Sequence, residues 1–447
     1  MASSAKRPKY SPSELEVLKK RAKELKPVRI VIAVAVILVT TWILVAVFVP
    51  GPKYKLTNAI SAPLDSDEFL YQLEAMTNSR ITRGNLIEPL RNGNVFYRAE
   101  LEAIRGAKQS VNLEAYIFHR GEIAGQFRDA VTERARNGVK VRLTLDAMGS
   151  FSTPKRYFKE FRKAGGEIEF YHPLRWNTWM RSNYRTHREL VIIDGHTAFL
   201  GGAGIADHWL KQVKDDPQWR DQMFRIRGDA VRGLQGAFLE NWLEASGELL
   251  AGEQFFPKQG QHGSATCLVV TSTPSRGGST RARVLFQALL AGAKKSIQIT
   301  TPYFLPEQSL RDELIKAKQR GVNVRILVPG AKSDHLMTRS SSRRVYGPLL
   351  EAGIEIHEYQ PSMLHAKIMV VDGVWSVLGS TNFDNRSFGL NDEINLAALD
   401  SQLANYLTEE FNGDLEKSNS VSYEQWKKRP VWERAVESFG ALLERQQ

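Results

Sequence analysis

HAKIMVVDGVWSVLGSTN (365–382) decides the fold. It reads as two apolar runs on either side of Asp372-Gly373, and Asp-Gly between such runs is the strongest short hairpin signal. The first half of the chain carries the same pattern as HRELVIIDGHTAFLGG (187–202). Working outward, three more blocks repeat in the same order. GAKQSVNLEAYIF (106–118) matches GAKKSIQITTPYF (292–304), RARNGVKVRLTLD (134–146) matches AKQRGVNVRILVP (317–329), and AGGEIEFYHP (164–173) matches AGIEIHEYQP (352–361). Four blocks in one order indicate a duplicated unit with loop insertions. SVNLEAYIF and VRLTLD are β-rich, and the stretch between them puts Ile123, Phe127, Ala130, Val131 and Ala135 on one helical face. Strand, helix, strand implies a right-handed βαβ unit, so each half is expected to be a mixed α/β sheet covered by helices.

Of the 447 residues, 42% are hydrophobic and 25% charged, which excludes a disordered or collagen-like chain. The net charge is +12, and residues 1–29 hold half of it, with nine Lys/Arg against three Glu. The body is therefore only mildly basic, which argues against a whole-surface nucleic-acid binder and leaves room for a local phosphate site. The single cysteine, Cys267, excludes an internal disulfide framework, and no H-E-x-x-H or C-x-x-C spacing points to zinc.

IVIAVAVILVTTWILVAVFV (30–49) is uncharged. At 1.5 Å per residue it spans about 30 Å, the thickness of a bilayer core. Pro50-Gly51-Pro52 stops it, and SPSELEVLKKRAKELK before it reads as a short helix capped by Ser11 with Pro12 first. The basic flank predicts a cytoplasmic N-terminus, a single pass through the cell (inner) membrane and an extracytoplasmic body. The expected organisation is a basic tail (1–29), a transmembrane helix (30–49), a linker with a short helix (50–85), a first half (86–255), a Gly/Gln-rich joint (256–267), a second half (268–400) and C-terminal helices (401–447).

In the second half His365 and Lys367 alternate onto one face of a strand, followed by Asp372 and then by Ser380 and Asn382. An imidazole beside an ammonium suits a phosphate. The cation neutralises oxygen, the imidazole attacks phosphorus or protonates a leaving group, and Asn382 adds a neutral donor.

This spacing resembles the phospholipase D superfamily, and within it the bacterial cardiolipin synthases. The resemblance covers roughly 85–445, including the trailing Glu393 and the ending WKKRPVWERAVESFGALLERQQ (426–447). It implies two tandem phospholipase D-like sheet domains related by a pseudo-two-fold, with the two motifs meeting at their interface. It also implies a phosphohistidine on one histidine, with His187 the expected nucleophile and His365 the general acid and then base. No metal or organic cofactor is implied. Phosphatidylglycerol or a related phospholipid is the implied substrate, beside the lipid bilayer and with no nucleic acid. A hydrolytic phospholipase D, a nuclease and a non-catalytic lipid-binding protein are the rival readings.

The first motif keeps His187, Asp194 and two glycines, but puts Glu189 where the family has Lys and Gly204 where it has Asn. The expected catalytic set is His187, His365, Lys367, Asp194, Asp372 and Glu393, and the expected substrate contacts are Glu189, Arg185, Ser380 and Asn382. Glu189 is expected either to pair with Lys367 or to read a substrate hydroxyl, with Arg185 replacing the missing cation. Asp221 falls roughly where the second half has Glu393, and either acid could hold a histidine in its tautomer. The insertion HPLRWNTWMRSNYRTHR (172–188) joins arginines to tryptophans. That composition fits lipid headgroups, a lid packed on the body or, more weakly, single-stranded nucleic acid. Trp432, Val436, Phe439 and Leu443 share a helical face and read as core packing or an in-plane membrane helix.

Overall fold

The computed structural model describes residues 11–48, 54–174, 181, 183–274, 280–334 and 336–430. The tryptophans of the 172–188 insertion and the apolar stripe of 432–443 lie outside the described residues. The chain forms two compact units, Met1–Gly51 and Pro52–Gln447.

Among the described residues, the first unit holds the helix Pro12–Phe48. Ser11 opens it with a reciprocal cap: the Ser11 N–H donates to Glu14 (2.7 Å) and the Glu14 N–H donates to the Ser11 hydroxyl (3.3 Å). The short basic helix and the apolar run are expected as separate elements, yet the helix runs through Pro27 and joins them. Ile30–Val39 and Trp42 are exposed along it. Among the described residues no helix is long and apolar enough to cross a membrane. The side chains of 43–49, the last part of the expected span, lie outside the described residues.

The second unit is built on one continuous sheet. Its first half contributes β1 (Ile81–Arg91), β2 (Ser110–Ala115), β3 (Lys140–Asp146), β4 (Glu167–Tyr171), β5 (Arg185–Thr186), β6 (Glu189–Ile193), β7 (Thr197–Gly201) and β8 (Gln222–Arg227). The second half contributes β9 (Ala265–Ser272), β10 (Ser296–Thr300), β12 (Asn323–Pro329), β13 (Glu355–Tyr359), β14 (Ile368–Val371), β15 (Trp375–Gly379), β17 (Asn391–Leu399) and β18 (Ser418–Ser420), while β11 (Phe304–Leu305) and β16 (Phe383–Asp384) pair parallel in a separate two-stranded sheet. The order β1-β8-β7-β6-β2-β3-β4 in one half reappears as β9-β17-β15-β14-β10-β12-β13 in the other. β1 and β9 pair antiparallel at the junction and fuse the halves. The sheet begins at Ile81, inside the stretch expected to be linker. β9 begins inside the expected joint, and β18 adds an edge strand to a segment expected to be helical.

Both faces of the hairpin strands are covered, which is why they read as unbroken apolar runs rather than alternating ones. Leu190 and Ile192 pack into a central core with the helices Ala230–Ser246 and Ser401–Leu415, while Val191 and Ile193 pack into the outer core of the first half. Val370 faces the same central core, and Met369 and Val371 face the outer core of the second half. Each hairpin turns through three residues, with positive φ at Asp194 and Gly195 (52° and 65°) and at Asp372 and Gly373 (54° and 69°). Asp and Gly tolerate that left-handed backbone.

Candidate active site

Each histidine segment is stitched to the opposite half. The His187 N–H donates to the Asp392 carbonyl (2.9 Å), and β5 pairs with β17 through Arg185 with Asn391 and Thr186 with Asp392. In mirror fashion the His365 N–H donates to the Arg220 carbonyl (2.7 Å), and the Arg220 N–H donates to the Met363 carbonyl (2.8 Å). The residue following each docking strand is an acid, and it meets the histidine from the other half. His365 Nδ1 lies 2.9 Å from Asp221 Oδ2, and His187 Nδ1 lies 3.1 and 3.2 Å from the two oxygens of Glu393. A carboxylate on Nδ1 fixes the tautomer that keeps Nε2 free for chemistry. Asp221 is held in turn by the Trp209 indole (2.9 Å) and the Gln222 N–H (2.7 Å). Glu393 accepts from the Ser380 hydroxyl and from Asn391 (3.4 Å).

Both histidines line one cleft, with about 950 Å³ of empty space, together with Tyr116, Arg185, Glu189, Trp209, Tyr303, Asp334, Asn382, Arg386 and Asn391 among others. Lys367 is buried beside His365. Its ammonium donates to the His365 carbonyl (2.8 Å) and lies against the edge of the imidazole, 2.9 Å from Nδ1 and 3.2 Å from Nε2. Gly202 makes room for it: a Cβ there would lie 2.7 Å from the Lys367 chain. Burial pushes Lys367 below its ordinary value against the pull of Asp221, Glu393 and Glu189. Burial, then the Lys367 charge, push His365 down against Asp221. Burial pushes Asp221 up, but its hydrogen bond and charge interaction with His365, aided by Lys367, outweigh that and leave it below the ordinary carboxylate range.

The expected site residues divide. His187, His365, Lys367, Glu393, Glu189, Arg185 and Asn382 converge around the cleft. Asp194 and Asp372, expected with the catalytic groups, stand at the far turns of the hairpins. Asp194 accepts the N–H groups of Lys108, Gln109 and Ser110 (2.9, 2.7 and 2.9 Å). Asp372 accepts those of Lys294, Lys295 and Ser296 (2.8, 2.7 and 2.9 Å). They fasten the start of β2 and β10. Seven residues of extended chain separate each from its histidine, about 23 Å. Ser380, expected on substrate, is fully buried and spends its hydroxyl on Glu393 and on the Ile394 N–H (3.1 Å). Glu189 makes no ion pair with Lys367; its Oε1 accepts the N–H groups of Tyr116 (3.2 Å) and Ile117 (3.3 Å) instead. Arg185 is partly committed, to Asp146 (3.4 Å) and to the carbonyls of Tyr184 and His172 (2.7 and 2.9 Å). Arg188 points away from the cleft, to Glu240 (2.8 Å).

Sequence reading missed Trp209, Tyr116 and Asn391. An indole or amide has no spacing signature, and only Tyr116 had a positional clue, lying at the end of a repeated block. Asn382 and Asn391 each keep a buried side-chain oxygen with no hydrogen-bond partner among the described residues.

Two imidazoles across a pseudo-two-fold, each oriented by an acid from the opposite half, form an arrangement with the chemistry phosphoryl transfer needs. The family model described as cardiolipin synthase, phospholipase D-like domain, matches residues 101–215 and 286–415. The chain belongs to this family and is a phospholipase D-type phosphatidyltransferase. It is 35% identical over 385 residues to the major cardiolipin synthase ClsA of Bacillus subtilis (strain 168), covering 86% of this chain and 80% of that protein. It is 36% identical over 364 residues to cardiolipin synthase 1 of Bacillus cereus, covering 79% of this chain and 71% of that protein. Among solved structures, the phosphatidylserine synthase of Haemophilus influenzae Rd KW20 shares the fold, with a TM-score of 0.66 at 15% identity over 84% of this chain and 99% of that one.

Proposed function

We propose that this chain is a membrane-anchored, cardiolipin synthase-like enzyme that moves a phosphatidyl group between phosphatidylglycerol molecules. The observation that carries the reading is the pair of histidines facing one cleft, each held through Nδ1 by a carboxylate from the other half. His187 Nε2 attacks the phosphorus, and the bond from phosphorus to the glycerol oxygen breaks. His365 gives that oxygen a proton, and glycerol leaves. A hydroxyl of a second phosphatidylglycerol then attacks the phosphatidyl-histidine while His365 takes its proton, which releases cardiolipin and restores both imidazoles. At rest His365 is pushed toward the neutral form, so the arriving phosphodiester anion has to help protonate it before it serves as acid. Lys367 and Asn382 stabilise the equatorial oxygens.

The anchor is the apolar part of the helix Pro12–Phe48, with its N-terminus cytoplasmic and the catalytic body outside. Its support is the uncharged run 30–49 and the exposure of Ile30–Val39. A C-terminal alkaline phosphatase fusion should be active; an inactive fusion of a well-expressed protein would reverse the topology. For the reaction, purified full-length protein is given labelled phosphatidylglycerol and its products are resolved by mass. Cardiolipin with free glycerol is expected. Phosphatidic acid alone would make the protein a hydrolase, and no turnover would leave a lipid-binding protein. Acid-labile label mapped to His365 rather than His187 would exchange their roles.

A further inference from the structure

We infer that Glu189 works as a neutral carboxylic acid, donating a hydrogen bond to a phosphoryl oxygen of the bound lipid where the second half offers a cation. The inference rests on the phosphatidyltransferase reading above.

Three differences between the halves make one seat. The hairpin repeat matches Glu189 to Lys367 and Gly204 to Asn382, and the first repeated block matches Tyr116 to Pro302. Oε1 of Glu189 rests on the N–H groups of Tyr116 and Ile117. The second half cannot build that cradle, because Pro302 has no N–H. Gly204 is required for it as well. A Cβ there would stand 3.0 Å from Oε1 of Glu189 and 2.7 Å from Cβ of Ile117, so an asparagine at 204 would evict the carboxyl. Loss of the asparagine and gain of the glutamate are one change, which is not what decay of an unused half would leave.

The seat holds the acid form. Glu189 is only 5% exposed and forms no ion pair among the described residues, since the Lys367 ammonium is turned to His365. The other groups about it are His187 on its own segment, Glu100 and Tyr97 from the helix Gly93–Gly106, and Tyr116 beyond β2. Burial pushes its carboxyl well above the ordinary range, aided by the Glu100 charge, although the two N–H groups and the Lys367 charge pull the other way. With Oε1 occupied, the second oxygen has no hydrogen bond to protein among the described residues, and Glu189 lines the cleft. An ionised carboxylate there would repel the phosphodiester; a protonated one donates to it without adding charge.

The test is kcat/KM against pH for the full-length protein on phosphatidylglycerol in mixed micelles, with His365→Ala alongside. Removing a donor to the developing charge costs roughly 10²–10³-fold, the loss expected for Glu189→Ala. Glu189→Gln, which keeps a neutral donor, should stay within about tenfold of wild type. His365, which must carry a proton to act as acid, sets the first alkaline fall in both proteins; the wild-type profile should steepen further where Glu189 ionises, and that of Glu189→Gln should not. An alkaline limb equally steep in wild type and Glu189→Gln overturns the inference, and so does a Gln variant as damaged as the Ala variant. Wild-type turnover in a folded Glu189→Ala protein overturns it too. If wild type turns over and His365→Ala does not, the general reading stands and the Glu189 variants alone decide. A wild-type protein without turnover overturns both.

Discussion

The two halves of the sheet share strand order, hairpin, turn and the aspartate that locks it, yet differ at the chemistry. In the second half a cation, Lys367, is buried against His365, which Asp221 orients. In the first half the same strand position holds Glu189 on two backbone N–H groups, and Glu393 orients His187. One helix of each half repeats the contrast. Glu100 in the helix Gly93–Gly106 holds the place that Phe286 holds in the helix Arg281–Gly292. Backbone duplication constrains where a side chain starts, whereas its charge is set by what packs around it.

The comparison is tested most severely at the histidines. His187→Ala and His365→Ala should each lower turnover by roughly 10²–10⁴-fold, as the proposed nucleophile and acid–base pair require. A first-half variant that still makes cardiolipin would reduce that half to a scaffold. Next come the crossed acids. Asp221→Asn and Glu393→Gln leave the shape intact but offer the wrong tautomer, and each should cost roughly 10²-fold or more in kcat with little change in KM. A loss confined to one of them would show that only that histidine depends on orientation by its partner acid.

The turn aspartates should behave oppositely. Asp194→Ala and Asp372→Ala each remove three hydrogen bonds to backbone N–H groups. Each should cost about 2 kcal/mol of stability in denaturant unfolding, with turnover per folded molecule retained. A loss of turnover at full stability would return them to the catalytic set. Glu100, 3% exposed, should affect stability alone; burial pushes its carboxyl up to about 8. A raised folded value means stability present below the unfolded value of 4.5 and lost as pH rises toward about 8. Glu100→Gln should therefore raise the melting temperature more at pH 8 than at pH 5; an equal change at both would show that Glu100 is already ionised.

Much of the architecture was legible before any coordinates. The repeat, the Asp-Gly hairpins and the apolar runs are local properties, and HAKIMVVDGVWSVLGS carries them all within one hairpin. The motif misled at Asp372 and at Ser380, whose hydroxyl is buried on Glu393. It groups Asp372 with His365 because they are near in sequence, whereas extended chain carries them to opposite ends of the hairpin.

What the chain by itself determined, then, is the α/β class, the duplication, the two histidines and the buried strands, because periodicity and turn chemistry act over a few residues. Tertiary structure alone decided which acid serves which histidine. Asp221 and His365 are 144 residues apart, and Glu393 and His187 are 206 apart. It also decided that Glu189 turns to the Tyr116 and Ile117 amides rather than to Lys367. Side-chain type says which bonds a group can make; only the folded backbone says which donor reaches it and whether water is excluded, and burial then sets its charge.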